Sequence, residues 1–195
     1  QDIILVKYNS SGTKQWTQLL GGSEVDVGYG VTTDSNNNIY VTGFTSLWYS
    51  GGSPRGLDGN THLGGSSDIF LVKYNSSGTK QWTKQLGTSR EEIGWGVTVD
   101  SSNNIYVTGE SGGALDGNTS SGNNDIFLVK YNSSGTKQWT KQLGTSGQDY
   151  GQGVVVDNSS NIYVTGYVQG ELDGNTFYGS EDPFLVRYNS DGVKQ

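Results

Sequence analysis

Acidic and amide residues recur in this chain at fixed positions, and the spacing suggests two kinds of chemistry. The segment LDGNT stands at residues 57–61, 115–119 and 172–176. An Asp and an Asn separated by one Gly present hard oxygen donors at a tight turn, the ligand type that Ca²⁺ accepts. Asp58, Asn60, Asp116, Asn118, Asp173 and Asn175 are therefore candidate calcium ligands. A calcium loop usually brings more carboxylates than one per turn, and the same side chains can instead bond their own turn backbone. A second acidic set, Asp26, Glu92 and Asp149, precedes Gly28, Gly94 and Gly151 by two residues, with Glu24 and Glu91 nearby. Glu91, Glu92 or Asp149 could act as acid and base on a glycan. They could equally cap backbone N–H groups at a crossover. Near-identical acids in each copy suit capping better than one asymmetric active site.

Aromatic positions form the other candidate surface. Tyr29, Trp95 and Gln152 occupy equivalent places just after the second acidic set. Rings beside amides and carboxylates suit sugar C–H faces and hydroxyls. Residues 44–56 (FTSLWYSGGSPRG) hold most of an insertion found in the first copy only, which offers Trp48, Tyr49 and Arg55 as contact residues on a loop. Trp16, Trp82 and Trp139 recur at one position in every copy, which reads as packing. His62 has no counterpart and reads as a solvated loop residue, and without cysteine neither a disulfide nor a thiolate metal site exists.

These residues need elements to hold them, and the elements are repeated. Residues 68–89 (DIFLVKYNSSGTKQWTKQLGTS) recur unchanged at 125–146, with looser copies from Asp2 and Asp182. The spacings are 66, 57 and 57 residues, giving repeats 2–67, 68–124, 125–181 and a partial 182–195. Each repeat carries four strand signals: IFLVKY, the Trp run, GVTVD and NIYVTG. Glycine-bearing turns (NSSGT) and Asp/Asn turns (DSSNN) punctuate them. IFLVKY is apolar at consecutive positions, as for a strand covered on both faces. GVTV is small and suits a crowded inner edge, and the Trp run alternates like a half-wet outer strand. The order GVTV, NIYVTG, IFLVKY, Trp run follows. This predicts an all-β chain, residues 1–195 forming one partial β-propeller domain of four-stranded antiparallel blades. About three and a half blades are present, so the chain reads as a segment of a larger propeller.

The D-x-F-L-V-K-Y-N-S-S-G-T-K-Q-W opening, the L-G-T-S step and D-S-x-x-N-I-Y-V-T-G resemble the bacterial SBBP β-propeller repeat family across essentially the whole chain. The resemblance implies a propeller in exported or surface-associated proteins, mostly without assigned activity. It brings no catalytic residues.

A net charge of −7 and the lack of any basic cluster exclude phosphate-backbone binding, so no nucleic-acid partner is expected. No apolar run approaches a transmembrane helix. The absence of Met and the start at Gln1 leave room for a removed leader. The expectation is a non-enzymatic extracellular or cell-surface module (bacterial outer surface or periplasm) that binds protein or glycan. A scaffold stiffened by calcium at LDGNT and a carbohydrate-active enzyme are the alternatives. The remaining blades of a parent chain, or another copy, are expected partners at the open ends.

Overall fold

The IFLVKY strands are apolar on both faces because each serves two cores at once. In Ser67–Tyr74, Ile69 and Leu71 point into one cluster with Ile105, Val107, Phe127 and Val129. Phe70, Val72 and Tyr74 point the other way, against Ile3, Leu20, Ile39 and Val41. A period-2 strand can only do this when sheets stack face to face on either side.

The computed structural model describes residues 1–22, 25–46 and 56–195. Its strands are β1 (Ile3–Tyr8), β2 (Lys14–Leu20), β3 (Asp26–Thr33), β4 (Ile39–Ser46), β5 (Ser67–Tyr74), β6 (Lys80–Leu86), β7 (Glu92–Val99), β8 (Ile105–Ser111), β9 (Asp125–Tyr131), β10 (Lys137–Leu143), β11 (Tyr150–Val156), β12 (Ile162–Val168) and β13 (Asp182–Tyr188). They form two complete blades, β3-β4-β5-β6 and β7-β8-β9-β10, flanked by the pair β1-β2 and the three-stranded β11-β12-β13. Every neighbouring pair is antiparallel, and the strand order within a blade is the predicted one. A blade is out of phase with a sequence repeat: 68–124 supplies the outer half of one blade and the inner half of the next. Among the described residues no helix is long and apolar enough to cross a membrane.

Adjacent blades are joined by the same contacts each time. The lysine of the third strand reaches the turn of the next blade's outer hairpin: Lys7 Nζ donates to the Ser76 carbonyl (2.9 Å), Lys73 to Ser133 (3.1 Å) and Lys130 to Ser190 (3.1 Å). Trp16, Trp82 and Trp139 lie against Gly78, Gly135 and Gly192 of those turns, so the tryptophans pack between blades. The LDGN leucines Leu57, Leu115 and Leu172 are buried in the same inter-blade cores.

The Asp/Asn turns work as read from sequence. Asp34 accepts the backbone N–H of Asn36 and Asn38, the Asn38 amide and the Tyr40 hydroxyl (each 2.8–2.9 Å). Asp100 and Asp157 repeat the pattern.

Two expectations need correction. The inner strands of the two complete blades begin at Asp26 and Glu92, four residues before GVT, and the third at Tyr150, three residues before GVV. His62 is not solvated: it is 4% exposed, accepts the Gly64 N–H at Nδ1 (3.1 Å) and sits 3.6 Å from Asp68 Oδ2. Its described partners, Gly64 and Asp68, lie within six residues of it, and a histidine with no counterpart in the other copies gives the sequence no pattern from which to read the burial.

Candidate functional site

The segment Gly-x-Gly in each inner strand is a β-bulge. Gly28 pairs with Gly43 and Gly30 with Thr42, so Tyr29 has no partner across the sheet. Trp95 and Gln152 are skipped in the same way, between Gly94 and Gly96 and between Gly151 and Gly153. A bulge re-aims one side chain at the edge of a sheet. Here it turns the three residues out of the regular alternation in three consecutive blades. The partner glycine makes this possible. A Cβ on Gly43, Gly109 or Gly166 would stand 1.8–1.9 Å from the carbonyl oxygen of Val27, Ile93 or Tyr150.

The bulged residues meet across the blades. Tyr29 stacks on Trp95 with ring centroids 4.2 Å apart and lies 6.0 Å from Phe44. Trp95 Nε1 donates to Glu110 (3.3 Å), whose other oxygen accepts the Asn124 amide (2.8 Å). Beyond Glu110 the strip continues into Tyr150 and Tyr167, centroids 4.6 Å apart. Tyr29 is 46% exposed, Trp95 and the tyrosine pair half-buried, and Gln152 exposed. Burial pushes Glu110 up to about 7 against the Asn124 and Trp95 bonds, and the Glu91 charge adds to the rise. Of the sequence candidates, Tyr29 and Trp95 are thus in contact and Gln152 extends their row. Phe44, Glu110, Tyr150 and Tyr167 complete the strip. Phe44, Glu110 and Tyr167 share one position, the residue after Gly43, Gly109 and Gly166, where the copies differ, and that variability was the signal for them. Trp48, Tyr49 and Arg55 lie outside the described residues.

Asp26, Glu92 and Asp149 sit elsewhere and hold loops. Glu92 and Asp149 have no exposed surface. Glu92 takes the backbone N–H and hydroxyl of Thr88, and Asp149 those of Thr145. Asp26 takes the Gly22 N–H (2.8 Å). Burial, then the nearby Asp68 charge, pushes Glu92 up to about 7 despite the Thr88 bonds. A carboxylate sealed and engaged in this way caps the crossover between blades. Glu91 is exposed, and Glu24 lies outside the described residues.

The LDGN turns pack on the outer strand of their own blade. Asp58, Asp116 and Asp173 take left-handed backbone (φ 56°, 51° and 54°) and pair with Lys80, Lys137 and Lys194. Asp58 and Asp116 also accept the hydroxyls of Thr83 and Thr140. Asn60, Asn118 and Asn175 donate their amides to the carbonyls of Leu57, Leu115 and Leu172 (2.7–3.1 Å). A cation would have to displace an ammonium group to reach these aspartates. Among the described residues no three His, Asp or Glu side chains converge as a ligand set.

The SBBP β-propeller repeat profile matches residues 15–46, 81–115 and 138–171, more than half of the chain. The chain belongs to the SBBP β-propeller repeat family. A second profile, a β-propeller domain of unknown function (DUF5122), matches residues 161–194 of this SBBP chain. It is 31% identical over 210 residues to an uncharacterized WD repeat-containing protein of Acanthamoeba polyphaga mimivirus, covering 90% of this chain and 15% of that protein. It is 26% identical over 221 residues to the regulatory protein FlaEY of Caulobacter vibrioides, covering 100% of this chain and 22% of that protein. The SBBP chain therefore spans less than a quarter of the length of either relative. A solved structure of a luciferin-regenerating enzyme aligns at a TM-score of 0.37 and 13% identity, over 99% of this chain and 72% of that one, a likeness too slight to argue from.

Proposed function

We propose that this chain is a non-enzymatic interaction module of a larger, exported or cell-surface propeller, which holds a protein or glycan ligand on the strip from Phe44 through Tyr29 and Trp95 to Tyr150 and Tyr167. The observation that carries the reading is the row of bulges. Three consecutive inner strands each give up a ladder position to turn one side chain out, and two of these side chains are stacked, partly exposed rings. Bulges of this kind mark functional edges, and exposed rings beside amides and carboxylates are good contact surfaces. The names carried by the two relatives, a WD repeat-containing protein and a regulatory protein, accord with an interaction role. The acids that an enzyme would need at Glu92 and Asp149 are occupied as loop caps.

The test is a glycan array and a pull-down from the source organism, run on the chain and on Trp95→Ala. Retained ligands that disappear with Trp95→Ala support the strip. Ligands that bind both forms equally place the contact surface elsewhere.

A further inference from the structure

We infer that the ligand of this strip is a cationic segment of a partner protein, whose lysine or arginine side chains seat against Trp95, Tyr150 and Tyr167 among three carboxylates. This rests on the strip being the contact face, and it names the chemistry of what is contacted.

The argument is charge complementarity on an aromatic floor. Glu110 of β8 accepts the Trp95 indole N–H at the position where the neighbouring blades carry Phe44 and Tyr167, and its charge also bears on Tyr150 and Tyr167. Glu91, in the crossover before β7, and Glu181, just before β13, are exposed. All three act on one phenol: burial, joined by the charges of Glu110, Glu181 and Glu91, pushes Tyr150 up to about 12. The neighbours do little to offset this charge. Asn124 donates to Glu110, Gln148 accepts the Tyr150 hydroxyl (2.8 Å), and Gln169 donates weakly to Glu181 (3.5 Å). Arg90, beside Glu91, is exposed and belongs to no ion pair among the described residues; its Cβ faces Gly112. Lys73, Lys130, Lys80, Lys137 and Lys194 are committed to turn carbonyls or to the LDGN aspartates. Ring faces backed by carboxylates attract ammonium and guanidinium groups through both the quadrupole and the net charge. A neutral sugar would stack on the same rings but would not use the charges of Glu110, Glu181 and Glu91 that bear on Tyr150.

The probe is a fluorescein-labelled hexa-arginine peptide, followed by anisotropy, with a neutral hexasaccharide as the comparison. The peptide should bind, weaken steeply with added NaCl, and bind several-fold tighter at pH 8 than at pH 6 as Glu110 ionises. Glu110→Gln should cost about tenfold at pH 8 and flatten the pH dependence. Glu181→Gln, at an exposed site where folding is not at stake, should weaken the peptide several-fold, whereas Asp191→Asn, a remote surface acid, should not. Equal peptide affinity in Glu181→Gln, Asp191→Asn and the parent chain would overturn the cationic assignment. Hexasaccharide binding that Trp95→Ala abolishes, with no peptide effect, would also overturn it while leaving the strip intact. Indifference of both probes to Trp95→Ala would remove the strip itself.

Discussion

Trp82 lies flat against Gly135, the turn glycine of the next blade's outer hairpin. A Cβ on Gly135 would stand 3.0 Å from Trp82 Cε2 and 2.8 Å from Lys84 Cε, and its φ of +79° is left-handed. Gly135→Ala should therefore cost about 1–2 kcal/mol from backbone strain alone, with the contact adding to it. At about 2–4 °C per kcal/mol for a chain of this size, thermal denaturation should show a clear drop. An unchanged midpoint would mean that the hairpin does not rest on the tryptophan.

The bulge predicts a sharper contrast between two glycines. Gly109→Ala puts a methyl group 1.9 Å from the Ile93 carbonyl, so the inner strand must let go of the bulge. Gly117 is also left-handed (φ +78°) but has open space around it. Gly109→Ala should unfold the blade edge or lower the midpoint far more than Gly117→Ala, which should cost only about 1–2 kcal/mol of left-handed backbone strain. Comparable losses in the two variants would argue against the bulge geometry.

Stability should rise as pH falls from 8 towards 5. Glu92 and Glu110 have folded values raised to about 7 from 4.5, so the folded state holds protons that the unfolded chain releases. Their contribution is complete below the unfolded value and is lost as pH climbs through about 7. Asp34 works in the opposite sense. Burial opposes its ionisation, but the Asn38, Tyr40 and Asn36 bonds hold it below the usual carboxylate range, so its contribution fades only in strong acid. Glu92→Gln should flatten the slope between pH 5 and 8. A midpoint independent of pH over that range would contradict this account.

Each LDGN aspartate is clasped by a lysine, so the fold is expected to hold with or without calcium. Melting with excess EDTA and with millimolar CaCl₂ should give the same midpoint. Asp116→Asn keeps a residue that tolerates left-handed backbone and loses only a half-exposed ion pair, so it should cost under about 1 kcal/mol. A calcium-dependent rise that Asp116→Asn removes would restore the metal reading.

Most of the architecture could be read directly. Period-2 apolarity on both faces of IFLVKY, small inner-edge residues in GVTV and Asp-Asn turns of constant length encode a blade locally, and identical repeats show that each blade meets the same neighbours. The candidate site was half legible. Tyr29, Trp95 and Gln152 stood out because equivalent positions differ, but the bulge that turns them out depends on Gly43, Gly109 and Gly166 across the sheet. Glu110 joins them only through that pairing. The LDGN motif drew attention to its oxygens, whereas its leucine fills the core and its aspartate meets a lysine from a strand more than 20 residues later. The burial of His62 had no second copy of the residue to compare.

The lysine that ties one blade to the next ends on a backbone carbonyl, at Ser76, Ser133 or Ser190. Every residue type offers that acceptor, so the joint is indifferent to the side chain at the receiving position. Whole units can be gained or lost by recombination between the identical stretches without a new joint having to evolve. Selection is then free to act on the few bulge and post-glycine positions, where one blade can acquire a glutamate and its neighbours keep rings. On the proposed reading, blade number and ligand preference become separately adjustable quantities.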